Sequence, residues 1–215
     1  ERIEKIKNEN EGVVPVELAP INIWNTFSNA ANVYMAVTNF KELNKVLVGK
    51  LEAYNESNAA MDLELFGMAM DHVSRICRII ENPRGNAILV GVGGSGKQSL
   101  ARLASSICGY DVFQITVSST YGINNLKEDL QELYMKTGVK NFPVVFLLTD
   151  TQIVDDEWLV FINDLLSSGF IPNLFADEDM EGILGSISNE AKAQGIPETK
   201  QARIDFFINT VRTNL

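Results

Sequence analysis

Ala87-Ile88-Leu89-Val90-Gly91-Val92-Gly93-Gly94-Ser95-Gly96-Lys97-Gln98-Ser99-Leu100 decides how this chain is read. An apolar run with the look of a buried parallel strand ends at Gly91. A glycine-rich loop follows, and Gln98 to Ala104 opens a helix with Leu100, Leu103 and Ala104 inward. Gly-x-x-x-x-Gly-Lys between a strand and a helix is a phosphate cradle. Amides from Gly93 to Gly96 converge on one anion only in backbone angles that glycine tolerates. The helix adds its positive end, and Lys97 adds a point charge. Gly91, Gly93, Gly94, Ser95, Gly96, Lys97, Gln98 and Ser99 are therefore the candidate nucleotide-binding residues. The plain alternative is a glycine-rich turn without a ligand.

The position after Lys97 normally carries Ser or Thr, whose hydroxyl holds magnesium. Gln98 stands there. Its carbonyl is a poorer donor for a small octahedral ion, and Ser99 is one step late. A second departure lies after the apolar run Val144 to Leu148. Two acids belong there, one for the metal and one to orient the attacking water. Leu148-Thr149-Asp150-Thr151-Gln152 contains one acid. Asp150 is the metal acid in one register, with Thr151 in place of the base. In the other, Thr149 replaces the metal acid and Asp150 is a shortened base. Gln98, Thr149 and Asp150 thus form a weakened magnesium site, and Asp150 is the candidate catalytic residue of a degraded motif. Met61 and Leu63 are candidates to wall an adenine ring.

The remaining elements alternate. Residues 1–20 read as a polar arm with Pro15 and Pro20, and Trp24 to Leu51 as two short helices. Tyr54 to Ala60 reads as a loop. Leu65, Ala69, Val73, Ile76, Cys77 and Ile80 mark a helix over 62–81, capped by Asp62 and ended by Pro83 and Gly85. Strands are predicted at 112–117 and 144–148. Helices are predicted at 122–136, from Asp155 or Asp156 to Gly169, at 177–193 and at 199–213. This order predicts an α/β P-loop fold: a parallel sheet with helices on both faces, behind an N-terminal helical lead-in.

The 215 residues carry a net charge of −10, which argues against nucleic acid or an anionic membrane as partner. No apolar run approaches the roughly 20 residues of a spanning helix. No signal-peptide pattern opens the chain, and Glu1 in place of Met predicts a piece of something longer. Cys77 and Cys108 sit among apolar residues and read as buried reduced thiols. His72 reads as a structural residue on its helix. Asp155-Asp156-Glu157 and Asp177-Glu178-Asp179 read as solvated helix starts.

Tyr54-Asn55-Glu56-Ser57-Asn58-Ala59-Ala60-Met61-Asp62-Leu63, the loop and helix from Gly91 to Leu103, Val112-Phe113-Gln114-Ile115, Asn163 to Gly169 and Ile171 to Phe175 resemble the fourth AAA+ module of axonemal dynein heavy chains. The resemblance runs from about residue 40 onward. It implies an AAA+ large subdomain over 61–215, with 1–60 leading into it, and an end before the sensor strand and small lid. It also implies a regulatory module that binds ATP or ADP, with a weakened Mg2+ site and weak or absent hydrolysis of its own. Its partners would be adjacent AAA+ modules of one heavy chain, with microtubules reached only through the rest of the motor. Its place would be the cytoskeleton of the cytoplasm, in the axoneme of a cilium or flagellum. In such modules the distance from the acid pair to Asn163 selects the register with Thr149 at the metal acid and Asp150 at the base. A competent ATPase and a nucleotide-free ring spacer are the rival expectations.

Overall fold

The computed structural model describes residues 23–29 and 32–215. The arm expected over 1–20 lies outside the described residues. Trp24–Asn25 (β1) and Met35–Ala36 (β2) pair antiparallel. Then come Phe40–Ser57 (α1), Gly67–Glu81 (α2), Lys97–Ile107 (α3), Asp111–Phe113 (β3) and Ile123–Tyr134 (α4). Helix α4 runs into a π-helical turn over Met135–Val139. Val144–Phe146 (β4), a 3-10 turn at Asp150–Gln152, Trp158–Ser167 (α5), Asp177–Ser186 (α6), Ser188–Ala193 (α7) and Lys200–Asn214 (α8) complete the order.

The predicted sheet is corrected to a short ladder. Strands β3 and β4 pair in parallel, Asp111 with Val144 through Phe113 with Phe146. The backbone bond from Leu147 N–H to Phe113 O (2.9 Å) extends the pairing. The expected strand at 87–90 forms no ladder among the described residues. Leu89 packs inward, whereas Ile88 and Val90 are each 91% exposed. A strand exists only by exchanging backbone bonds with a neighbour, so apolar content alone did not make one.

Other boundaries shift for local reasons. The two helices expected over 24–51 are the β1–β2 hairpin and one helix, α1, capped by Asn39, whose side chain accepts from Lys41 N and Glu42 N. Helix α1 continues to Ser57 through part of the expected loop. Helix α2 starts at Gly67, so Asp62 does not cap it. Asn82 before Pro83 is extended, as the proline ring requires, and this ends α2. The residue before α5 is Glu157, with no side-chain cap bond, so neither Asp155 nor Asp156 caps that helix. The Asp155 carboxylate accepts from Glu157 N at 2.9 Å in the preceding turn.

Two apolar cores result. The first packs Leu43, Leu47, Val73, Ile76, Leu100 and Leu103 between α1, α2 and α3. The second gathers Ile115, Leu130, Val144, Trp158, Ile183 and Phe207 between the β3–β4 ladder and α4 to α8. No described helix is long and apolar enough to cross a membrane.

Candidate functional site

The phosphate loop stands at the amino end of α3, and the first core fixes that helix from behind. Gly94 and Gly96 have φ of +75° and +77°, so both need the left-handed region. Gly96 is the helix cap. Ser95 N–H donates to Val92 O at 3.4 Å, while the amides of Gly93, Gly94, Gly96 and Lys97 have no protein acceptor among the described residues. These are the donors that an anion would take up. Lys97 folds over the loop: its Nζ donates to Gly91 O (2.6 Å), Val92 O (2.7 Å) and Ser95 Oγ (3.3 Å). The ammonium is thus held at the mouth of the cradle. Gln98 is exposed and Ser99 half-buried, one step round the helix.

Leu63 reaches this loop. A β-carbon at Gly96 would lie 3.6 Å from Leu63 Cδ1. Met61 is clasped by Asn55, which accepts from its N–H (2.8 Å) and donates to its carbonyl (3.1 Å). Met61 and Leu63 both pack against the first core. The structure therefore places Leu63 beside the cradle, with Met61 on the same core.

The turn after β4 is built differently. Asp150 and Thr151 are exposed, and Thr149 is half-buried. The Thr149 hydroxyl is hydrogen-bonded to Gln152 Oε1 (2.9 Å) and to Thr151 Oγ1 (3.0 Å). Thr149 N–H donates to the same Gln152 oxygen at 2.9 Å. A hydroxyl so engaged, beside one exposed carboxylate, is a poor magnesium ligand set. No group of three or more His, Cys, Asp or Glu residues suited to a metal occurs among the described residues.

Sequence reading missed three residues here. Gln152 is buried; its Nε2 donates to Ile115 O, and its Oε1 also takes a 3.4 Å bond from Gln114 Nε2. Gln114 in turn accepts from Arg102 Nη2 on α3. The signal was there: a side-chain amide, Gln114, inside the largely apolar run at 112–117, and another two places after Asp150.

The remaining candidates lie apart. Cys77 is buried under α3 and Cys108 is half-buried; the Cys108 hydrogen bond and burial push the Cys77 thiol up, away from a reactive thiolate. His72 lies on the exposed side of α2. Cavities of about 610 Å³ and 270 Å³ are lined by other elements, the larger by α4 and α6.

A family described as the P-loop containing dynein motor region D4 matches residues 61–215. The chain is 60% identical over 180 residues to the dynein beta chain of the flagellar outer arm of Chlamydomonas reinhardtii, covering 84% of this chain and 4% of that protein. It is 57% identical over 182 residues to the ciliary dynein beta chain of Tripneustes gratilla, covering 85% and 4%. It is 53% identical over 182 residues to human dynein axonemal heavy chain 17, again covering 85% and 4%. The chain thus spans about 4% of the length of these curated relatives.

Proposed function

Because the chain belongs to the family of P-loop containing dynein motor regions D4, we propose that it is a regulatory module that binds ATP or ADP and turns it over slowly or not at all. In this reading residues 61–215 are the large subdomain of the fourth AAA+ module of an axonemal heavy chain, and 1–60 lead into it. The relatives' names, flagellar outer arm, ciliary and axonemal, support a place in the axoneme. Adjacent modules of the same chain are its direct partners, and microtubules are reached through the motor as a whole.

The observation that carries the proposal is the state of the loop. At a helix start with two left-handed glycines, four amides have no acceptor among the described residues, and one ammonium lies on the same loop. A polyphosphate would satisfy those amides and would exchange for the loop oxygens to which Lys97 Nζ donates. Gly91, Gly93, Gly94, Ser95 and Gly96 line the phosphates, Lys97 neutralises the terminal ones, Gln98 and Ser99 flank them, and Met61 and Leu63 face the base.

Slow turnover follows from the other half of the site. Asp150 is one methylene shorter than the glutamate that would orient water. Thr149 supplies a hydroxyl in place of the metal carboxylate, and that hydroxyl is bound to Gln152. Magnesium carried in by the nucleotide would neutralise phosphate charge, with only Gln98, Thr149 and Asp150 to hold it.

Calorimetric titration of the full-length protein with ADP and ATP tests this. Lys97→Ala removes a charge-assisted hydrogen bond of about 1.5–3 kcal/mol, so affinity at this site falls roughly tenfold to hundredfold. Unchanged affinity in that variant overturns the proposal.

A further inference from the structure

The turn and the loop are fastened to different cores, yet one polar chain joins them. It begins at Arg102, five residues beyond Lys97 on the same rigid helix α3, about 7.5 Å along its axis. Arg102 Nη2 donates to Gln114 Oε1, and Gln114 Nε2 donates to Gln152 Oε1 at 3.4 Å. Gln152 then holds Thr149 by its backbone N–H and its hydroxyl, each at 2.9 Å. The orientation of the amide is dictated by its neighbours. A backbone N–H can only donate and Ile115 C=O can only accept, so Oε1 must face Thr149 and Nε2 must face Ile115.

We propose that Gln152 is a positioning residue that ties the Thr149–Asp150 turn, through Gln114 and Arg102, to the helix carrying the phosphate loop, so that nucleotide at the loop is registered at the turn. The inference rests on the nucleotide reading above. Three features support it. First, Gln152 is 8% exposed in a turn whose neighbours Asp150 and Thr151 are exposed, so its side chain is directed inward. Second, both the oxygen and the nitrogen of its amide are hydrogen-bonded, which favours a single geometry for the network. Third, the chain bridges the two cores, which is where a shift of α3 against β4 would be transmitted. With the carboxylates reduced to one, the turn acts as a receiver of the nucleotide state rather than as a catalyst.

Hydrogen exchange on the full-length protein tests the connection. With saturating ADP and magnesium, amides of both 91–97 and 149–153 should slow, the latter by about tenfold, within the usual range of site-to-site coupling. Gln152→Leu deletes the junction. Arg102→Met cuts the chain at its far end, away from the turn, and keeps the helix and its apolar stem. In both variants nucleotide should still protect the loop, and its protection of 149–153 should drop to about twofold or less. A merely structural Gln152 would loosen the turn with and without nucleotide and would leave Arg102→Met indistinguishable from wild type. Equal protection of the turn in Arg102→Met therefore overturns the inference, as does an unprotected turn beside a protected loop in the wild type. An unprotected loop in the wild type fells the nucleotide reading itself, and the relay with it.

Discussion

Under the proposed function, the phosphate loop and the Thr149–Gln152 turn would be the two halves of one site, and they are held in opposite ways. The loop keeps its full pattern of glycines and lysine, yet Gly91, Gly93, Gly94 and Ser95 are exposed and few of its amides are paired. The turn carries one carboxylate, and Thr149 and Gln152 are bonded to each other, to Ile115 and to Gln114. A binding loop must leave its donors free for a ligand, so it draws its support from the helix behind it. The turn instead uses its polar groups on itself. Among the described residues the loop is thus loosely tied and the turn tightly tied.

The largest effect that sharpens this contrast lies on the turn side. Gly138, in the π-helical turn after α4, meets α8 closely: a β-carbon there would fall 2.4 Å from Phe207 Cε2 and 2.7 Å from Val211 Cγ2. Phe207 and Val211 are fully buried and cannot move aside. Gly138→Ala should cost about 3 kcal/mol by overpacking, which lowers the melting temperature by roughly 6–12 °C for a domain of this size. Nucleotide affinity should stay as it was. A matching loss of affinity would break the separation between the two halves.

The reverse experiment is smaller. At Gly96 a β-carbon meets only Leu63 Cδ1, at an ordinary 3.6 Å, so space is not the issue. The left-handed φ of +77° is. Gly96→Ala should penalise the cradle by about 1–2 kcal/mol, read in titration as a roughly tenfold weaker nucleotide, with the melting point of the unliganded protein nearly unchanged. A large fall in melting temperature would mean that the loop carries stability as well as binding.

This contrast also explains what could be read in advance. The loop was legible because its chemistry demands particular residues at fixed spacing: Gly94 and Gly96 for angle, Lys97 for charge. Helices α3 and α4 and the paired ends of β3 and β4 were legible from apolar periodicity. The segment at 87–90 was misjudged because its apolar residues say nothing about whether a neighbour will pair with it. The hairpin at 24–36 was read as helix because Phe27, Ala31 and Tyr34 mimic helical spacing in a short segment. The Arg102–Gln114–Gln152 chain was not legible at all. Its members are 12 and 38 residues apart in sequence, and only the parallel pairing of β3 with β4 brings them together.

The smallest of these effects concerns pH and again separates the halves. Tyr134, at the end of α4, donates from its hydroxyl to Gly169 O at 2.7 Å inside the second core. Burial, then the charge of Asp164, pushes its phenol up from the usual value near 10. Ionisation is therefore easier in the unfolded chain than in the folded one. The stability tied to the neutral phenol is complete below about pH 10, and it is lost as pH rises from there toward the folded-state value. Tyr121, raised by burial and its hydrogen bond to Asp129, adds to the same alkaline loss from the same core. Tyr134→Phe should cost about 1 kcal/mol at neutral pH, because Gly169 O loses its donor, and should make the decline above pH 10 shallower. Melting curves by circular dichroism between pH 7 and 11 measure both. An equally steep alkaline decline in the variant would show that the turn-side core admits water at Tyr134, and would remove the reason for calling that half the rigid one.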